Sequence, residues 1–161
     1  MTTSAKAGIL CLLIPLCSAL SPASGSSDAA FQVLKSLEGK WSIQSDGKTL
    51  PIQMSYAVGS KGSIVTEQFG KELSVFYQDG DSVAMIHFCN AGNQPRLRLK
   101  ETNRPGFFRF EMFDITNLKS ANAHHVERII YTILDEKKIE LEIVWDGDKS
   151  QTSEKYTLIK S

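Results

Sequence analysis

Residues 63–90, SIVTEQFGKELSVFYQDGDSVAMIHFCN, carry the clearest structural signal in the chain. Apolar residues alternate with polar ones or cluster in three short runs, and only Gly70-Lys71 and Asp79-Gly80-Asp81 separate the runs. Links this short join antiparallel strands, because a parallel pairing needs a crossover of about a dozen residues or more. The stretch therefore predicts three successive antiparallel strands.

The same pattern extends in both directions from this stretch. It predicts ten strands, at 40–45, 49–57, 63–69, 72–78, 82–90, 95–101, 106–114, 125–135, 138–146 and 151–160. Only 115–124 is long enough to be a substantial loop. An all-β, antiparallel up-and-down barrel of about ten strands is expected, because closure removes the exposed edges of a flat sheet. A sandwich of two sheets is the alternative.

A short helix is predicted before the first strand. Ser27 or Asp28 can cap it, and Phe31, Leu34 and Leu37 fall on one face. Such a helix would bury that apolar face against one end of the barrel.

The N-terminal residues are typical of a secretory signal peptide. Lys6 precedes an apolar run from Ala7 to Leu20, and small residues lead to a cleavage site after Gly25. The run is shorter than the roughly 20 residues that span a bilayer. We therefore predict a signal peptide at 1–25, a barrel domain at 26–161, and a periplasmic or secreted protein.

The composition of the mature domain excludes some classes of function. The chain has 18 basic and 18 acidic residues, and loss of Lys6 leaves a net charge of −1, which argues against a general nucleic-acid binder. No later stretch is long and apolar enough to be an integral membrane segment. Cys11 and Cys17 leave with the signal peptide, so Cys89 becomes a lone thiol.

Two blocks of sequence resemble known barrels. LEGKW, residues 37–41, resembles the Gly-x-Trp opening of lipocalin-type and other calycin barrels through Gly39 and Trp41. The block His87-x-Cys89 followed by GNQPR, residues 92–96, resembles a group of uncharacterised bacterial calycin-like proteins. The likeness extends over about 37–160 and implies a calycin-like barrel without implying an activity.

The same group has TNL, here residues 116–118, and a later His-Met-His-Arg. The corresponding residues here are HVER, 125–128, so His125 and Arg128 match and Glu127 stands in place of the second histidine. That departure puts in doubt any site that needs two histidines there.

His87 and Cys89 are the candidate metal ligands, with His125 as a third. His87 and Cys89 share one face of their strand with Val83 and Met85, since strand side chains alternate, but the pattern leaves open which face points inward. Imidazole and thiol suit zinc, and a haem contact through a histidine is a further option. Two alternatives are a reactive thiol at Cys89 and a purely structural role of both residues beside a turn.

Arginines on predicted strands offer a second kind of site. Arg96, Arg98, Arg109 and Arg128 would face solvent by default, but an inward arginine could clamp a carboxylate or phosphate group. The sequence thus predicts an exported barrel that holds a small apolar or amphiphilic molecule in its interior. The predicted ligand-binding residues are His87, Arg96 and His125. A metal- or haem-dependent enzyme or sensor using His87, Cys89 and His125 is the alternative, and no catalytic residue or protein partner is assigned.

Overall fold

The computed structural model describes residues 25–102, 104–147 and 150–161. Apart from Gly25, the predicted signal peptide lies outside the described residues. One helix precedes ten antiparallel strands, and a single 3-10 turn, Ser60–Gly62, follows the second strand. The elements are α1 (Gly25–Ser36), β1 (Gly39–Ser45), β2 (Lys48–Gly59), β3 (Ile64–Phe69), β4 (Glu72–Asp79), β5 (Ser82–Phe88), β6 (Gln94–Glu101), β7 (Phe107–Thr116), β8 (His125–Asp135), β9 (Lys138–Asp146) and β10 (Thr152–Lys160).

The ten strands close into one barrel. Each strand pairs with its neighbours in sequence, and β1 pairs with β10 over Trp41↔Lys160 to Gln44↔Thr157. The closure confirms the predicted up-and-down barrel, a form consistent with the calycin-like fold, and excludes the sandwich. Among the described residues, no helix is long and apolar enough to cross a membrane.

All ten predicted strands are present, with small shifts at their ends. The largest shifts are at β2, which runs on to Gly59, β7, which runs on to Thr116, and β5, which ends two residues early at Phe88. β5 ends there because the backbone of Cys89 turns away from the ladder. The Cys89 N–H donates to Asn93 O at 3.1 Å, and the Gly92 N–H donates to Cys89 O at 2.9 Å. Gly92 adopts a φ of +87°, the left-handed conformation that its position in this turn demands.

Helix α1 covers one end of the barrel. It contacts β2, β4 and β5, and Phe31, Leu34 and Leu37 are buried as predicted. The helix begins at Gly25, ahead of the predicted cap, and the Asp28 carboxylate accepts a hydrogen bond from Gln78 at the end of β4. Leu37 also accepts the indole N–H of Trp41 through its carbonyl at 2.9 Å, which joins the helix end to β1.

Aromatic side chains fill the middle of the barrel. Phe76, Phe110 and Tyr131 are fully buried and make mutual edge-to-face contacts, with ring centroids 5.6–6.1 Å apart. Such aromatic pairs add about 0.5–1.5 kcal/mol each beyond the burial of their area. Tyr131 lies on β8, which is five strands from β3 in either direction around the ring. A hydrogen bond from Tyr131 to Glu67 on β3 therefore crosses the full width of the interior.

Candidate functional site

A row of polar side chains crosses four adjacent strands inside the barrel. Tyr56 on β2, Glu67 on β3, Ser74 on β4 and His87 on β5 are successive cross-strand partners. All four are buried. Period-two alternation places them on the inner face because their neighbours two residues away, such as Val65 beside Glu67, are core residues. The row answers the question that the sequence left open, since the face with His87 and Cys89 points inward.

Glu67 is the centre of this row. Its Oε2 accepts the hydroxyls of Tyr56 at 2.8 Å and Tyr131 at 2.7 Å, and its Oε1 accepts the Ser74 hydroxyl at 3.2 Å. Burial raises the pKa of Glu67 above its ordinary value, while these three donors oppose that shift. Burial likewise raises the pKa of both tyrosines well above 10, with the Glu67 charge adding to the effect. Both phenols therefore stay protonated and serve as donors.

His87 is oriented by Ser74. The distance between His87 Nδ1 and Ser74 Oγ is 3.1 Å. Because the Ser74 hydroxyl donates to Glu67, its oxygen is left to accept the proton of His87 Nδ1. Burial lowers the pKa of His87, partly offset by the charge of Glu72, and a neutral ring of this tautomer carries a lone pair on Nε2. His87 is only 4% exposed, and Nε2 has no hydrogen-bond partner among the described residues.

Glu72 and Cys89 lie next to this unpaired nitrogen. Glu72 Oε2 is 3.8 Å from His87 Nε2, and Cys89 Sγ is 3.6 Å from Glu72 Oε1. The three ligand atoms lie within 4.8 Å of one another, a spacing that one metal ion could bridge. Cys89 is buried, and burial raises the pKa of its thiol, with Glu72 adding to the rise. An activated thiolate needs a lowered pKa, so this environment does not favour Cys89 as a nucleophile.

The structure places His125 in a different group from His87 and Cys89. Its Nε2 lies 3.8 Å from Glu127 Oε2, and Asp146 completes a second group of possible ligands. The Nδ1 of His125 lies 2.8 Å from Ala123 O. Glu127, two residues further along β8, is thus the neighbour of His125.

The hairpin turn after β5 and the loop before β8 meet at the barrel end that carries these groups. The Asn93 side chain donates to His124 O at 2.9 Å. Asn93 is buried, and its Oδ1 lacks a hydrogen-bond partner in the described part of the chain. This end is opposite α1, because β5 finishes here and the helix packs against the far ends of β4 and β10.

The predicted arginines lie on the outer wall. The side chain of Arg96 is 43% exposed, pairs with Asp114 and lies over the Phe113 ring, with 5.9 Å from its guanidinium carbon to the ring centroid. Arg98 pairs with Asp79 and stacks on the same ring at 4.8 Å. Arg128 lies 3.7 Å from Glu111, also at the surface. The structure therefore does not bring Arg96 together with His87 or His125.

Sequence reasoning missed Glu67, Glu72 and Ser74 as site residues. The signal was present, since Val65, Glu67 and Phe69 alternate on β3, and Glu72, Ser74 and Phe76 alternate on β4. A carboxylate in register with apolar positions indicates an inward charge.

No protein-family model matches the chain, and no curated protein matches it. The fold itself, a closed β-barrel, is compatible with ligand binding.

Proposed function

We propose that the protein is exported and binds a small apolar or amphiphilic molecule at the barrel end that carries His87. The observation that carries this proposal is a pair of buried atoms at that end, His87 Nε2 and Asn93 Oδ1, for which the described residues supply no hydrogen-bond partner. Leaving a buried polar atom unpaired costs about 1–3 kcal/mol, so an incoming group that pairs with it gains free energy. Ligand sites typically combine an apolar surround with a few such polar atoms.

The chemistry of these atoms favours a particular polar end on the ligand. Asn93 Oδ1 is an acceptor, and His87 Nε2 is one in the tautomer that Ser74 imposes. Glu72 adds a carboxylate 3.8 Å from His87. A ligand group that donates hydrogen bonds or carries positive charge suits this end, whereas a carboxylate or phosphate head group would be repelled. The proposed ligand is therefore an apolar molecule with an amine, amide or hydroxyl end.

The apolar part of the ligand would enter among core side chains below His87. Met85 lies two residues before His87 on the same inner face and is fully buried. Methionine is unbranched and adapts to irregular shapes, so its movement can admit a guest into a packed interior. Met54, also fully buried, adds a second adaptable side chain. The proposed export is supported by the leader pattern of residues 1–25.

Two fluorescent probes test this proposal. A dansyl-labelled long-chain amine should bind saturably to the purified 26–161 domain, and a dansyl fatty acid of equal chain length should bind at least about tenfold more weakly. Asn93→Ala should weaken binding of the amine. Arg96→Ala is the matched control and should leave binding unchanged, because Arg96 lies on the outer wall. Loss of binding in Arg96→Ala would instead restore the arginine anchor, and no saturable binding of either probe would end the proposal.

The alternative of a metal- or haem-dependent enzyme or sensor keeps one specific observation in its favour. The ligand atoms of His87 and Cys89 lie within 4.8 Å of each other, and Glu72 rather than His125 supplies the third possible metal ligand.

A further inference from the structure

We propose that Glu72, His87 and Cys89 together bind one zinc ion at the barrel end opposite α1. This site rests on the proposed function in one respect only: both place a ligand beside His87. The ion would supply a positive partner for His87 Nε2 and the Glu72 carboxylate. Three protein ligands leave one coordination position open, as in zinc sites that hold an exogenous ligand.

The spacing of the ligand atoms fits tetrahedral zinc. Bond lengths of about 2.0–2.3 Å to nitrogen, oxygen and sulfur give tetrahedral edges of about 3.4 Å for N–O and about 3.6 Å for S–O. The structure has 3.8 Å between His87 Nε2 and Glu72 Oε2, 3.6 Å between Cys89 Sγ and the other carboxylate oxygen, Glu72 Oε1, and no pair of the three ligand atoms more than 4.8 Å apart. A rotation of the side chains that closes these gaps by about 1 Å would bring one atom of each residue to bonding distance.

The unpaired nitrogen of His87 points to a cation as the missing partner. With Nδ1–H directed at Ser74, the Nε2 lone pair lies beside the Glu72 carboxylate, which is itself an acceptor. Two acceptors 3.8 Å apart at a buried site are stabilised by a donor or a positive species between them, and a metal ion can bind both at once. The ring is 4% exposed, so bulk water does not screen this interaction.

Each proposed ligand also has an outer hydrogen bond that orients it. Ser74 holds His87 through Nδ1, and the Asn90 N–H donates to Glu72 Oε1 at 3.0 Å. The Ala91 N–H donates to Cys89 Sγ at 3.3 Å, a contact that stabilises a thiolate. Outer partners of this kind fix ligand orientation in metal sites, and their loss typically lowers metal affinity about 10–100-fold.

The group of His125, Glu127 and Asp146 supplies an internal comparison. It has the same number of candidate ligands, but Glu127 is about one-third exposed and Asp146 is half-buried. If zinc binds to Glu72, His87 and Cys89, substitutions of these residues abolish zinc binding. Substitutions of His125, Glu127 or Asp146 then leave zinc binding intact.

Cobalt and zinc titrations of the metal-free 26–161 domain test the site. On binding, the Cys89 thiol loses its proton to solvent and forms a metal–sulfur bond. We expect one equivalent of Co²⁺ to give visible bands of a tetrahedral ion and a thiolate-to-cobalt charge-transfer band, both lost when Zn²⁺ is added. Cys89→Ala and His87→Gln should each lower Zn²⁺ affinity about 100-fold or more, and Ser74→Ala about tenfold. His125→Gln is the matched control and should leave affinity unchanged.

Folding of each variant is checked by tryptophan fluorescence and thermal unfolding, and Cys89→Ala is the conservative variant if His87→Gln fails to fold. Absence of a charge-transfer band, or affinity that falls in His125→Gln and not in Cys89→Ala, would overturn the assignment. The dansyl amine titration and the zinc titration, both carried out on the metal-free 26–161 domain without substitutions, separate the two proposals. Amine binding without zinc binding leaves the proposed function standing and refutes the ion site, and the reverse result refutes the organic ligand alone.

Discussion

The hydrogen bond across the barrel gives a sharp test of the interior. Tyr131→Phe removes the hydroxyl that donates to Glu67 Oε2 at 2.7 Å, and it keeps the ring that packs on Phe76 and Phe110. A hydrogen bond to a charged group contributes about 1.5–3 kcal/mol. Tyr56 still donates to the same oxygen, so the loss should lie near the lower limit, at about 1.5–2 kcal/mol. At this chain length that is about 5–8 °C in the unfolding temperature.

Urea unfolding followed by the fluorescence of the two tryptophans measures this change. The m value should be unaltered, since the folded state buries the same surface. Tyr77→Phe, on the outer face of β4, is the control and should change the free energy of unfolding by less than about 0.5 kcal/mol. The double variant Tyr56→Phe/Tyr131→Phe should lose more unfolding free energy than the sum of the two single-variant losses, by about 0.5 kcal/mol or more. The reason is that Glu67 Oε2 then accepts a hydrogen bond from neither phenol. A Tyr131→Phe protein as stable as the wild type would refute the reasoning.

Three further outcomes are expected. Glu67 has a raised pKa in the folded state, so its contribution to stability is fully present below its ordinary pKa of 4.5 and is lost as pH rises through the raised value. The difference in unfolding free energy between wild type and Glu67→Gln, measured from urea curves at several pH values, should therefore fall over that range. A difference independent of pH would contradict the raised pKa. Alkylation of Cys89 by iodoacetamide in metal-free protein should show a midpoint above pH 9.0, since burial raises the thiol pKa, and a midpoint below 8 would revive the reactive thiol. Leu34→Ala should lower the free energy of unfolding by about 2–4 kcal/mol in calorimetry, because Leu34 is fully buried where α1 covers the barrel; a loss below 1 kcal/mol would show that the helix is dispensable.

The strand pattern was predictable because it depends on local chemistry. Apolar alternation, tight turns and the absence of long links specify ten antiparallel strands, and the Gly92 turn follows from its residue type. The direction of each face was harder to predict. The β5 stretch from Val83 to Phe88 is apolar on both sides, so only the packing of α1 and of the opposite strands decides that His87 points inward.

Only part of the candidate site could be predicted from the sequence, for a related reason. His87 and Cys89 are two residues apart, so alternation alone placed them on one face. Glu72 reaches them from β4 through the strand register, which no local pattern reveals. His125 looked equally suitable by residue type, yet it begins β8, three strands away around the ring, and meets Glu127 instead.

Pairing of the first strand with the last has a consequence for synthesis. Strands β2 to β9 can each join a neighbour soon after they leave the ribosome, but β1 keeps an open edge until β10 has emerged. Open edges template intermolecular association, so the nascent chain is most prone to aggregate just before its final nine-residue strand is made. The Ser161 N–H also donates to Lys40 O at 2.9 Å, directly at the seam. A purification tag attached directly after Ser161 would therefore start at a hydrogen bond that closes the barrel.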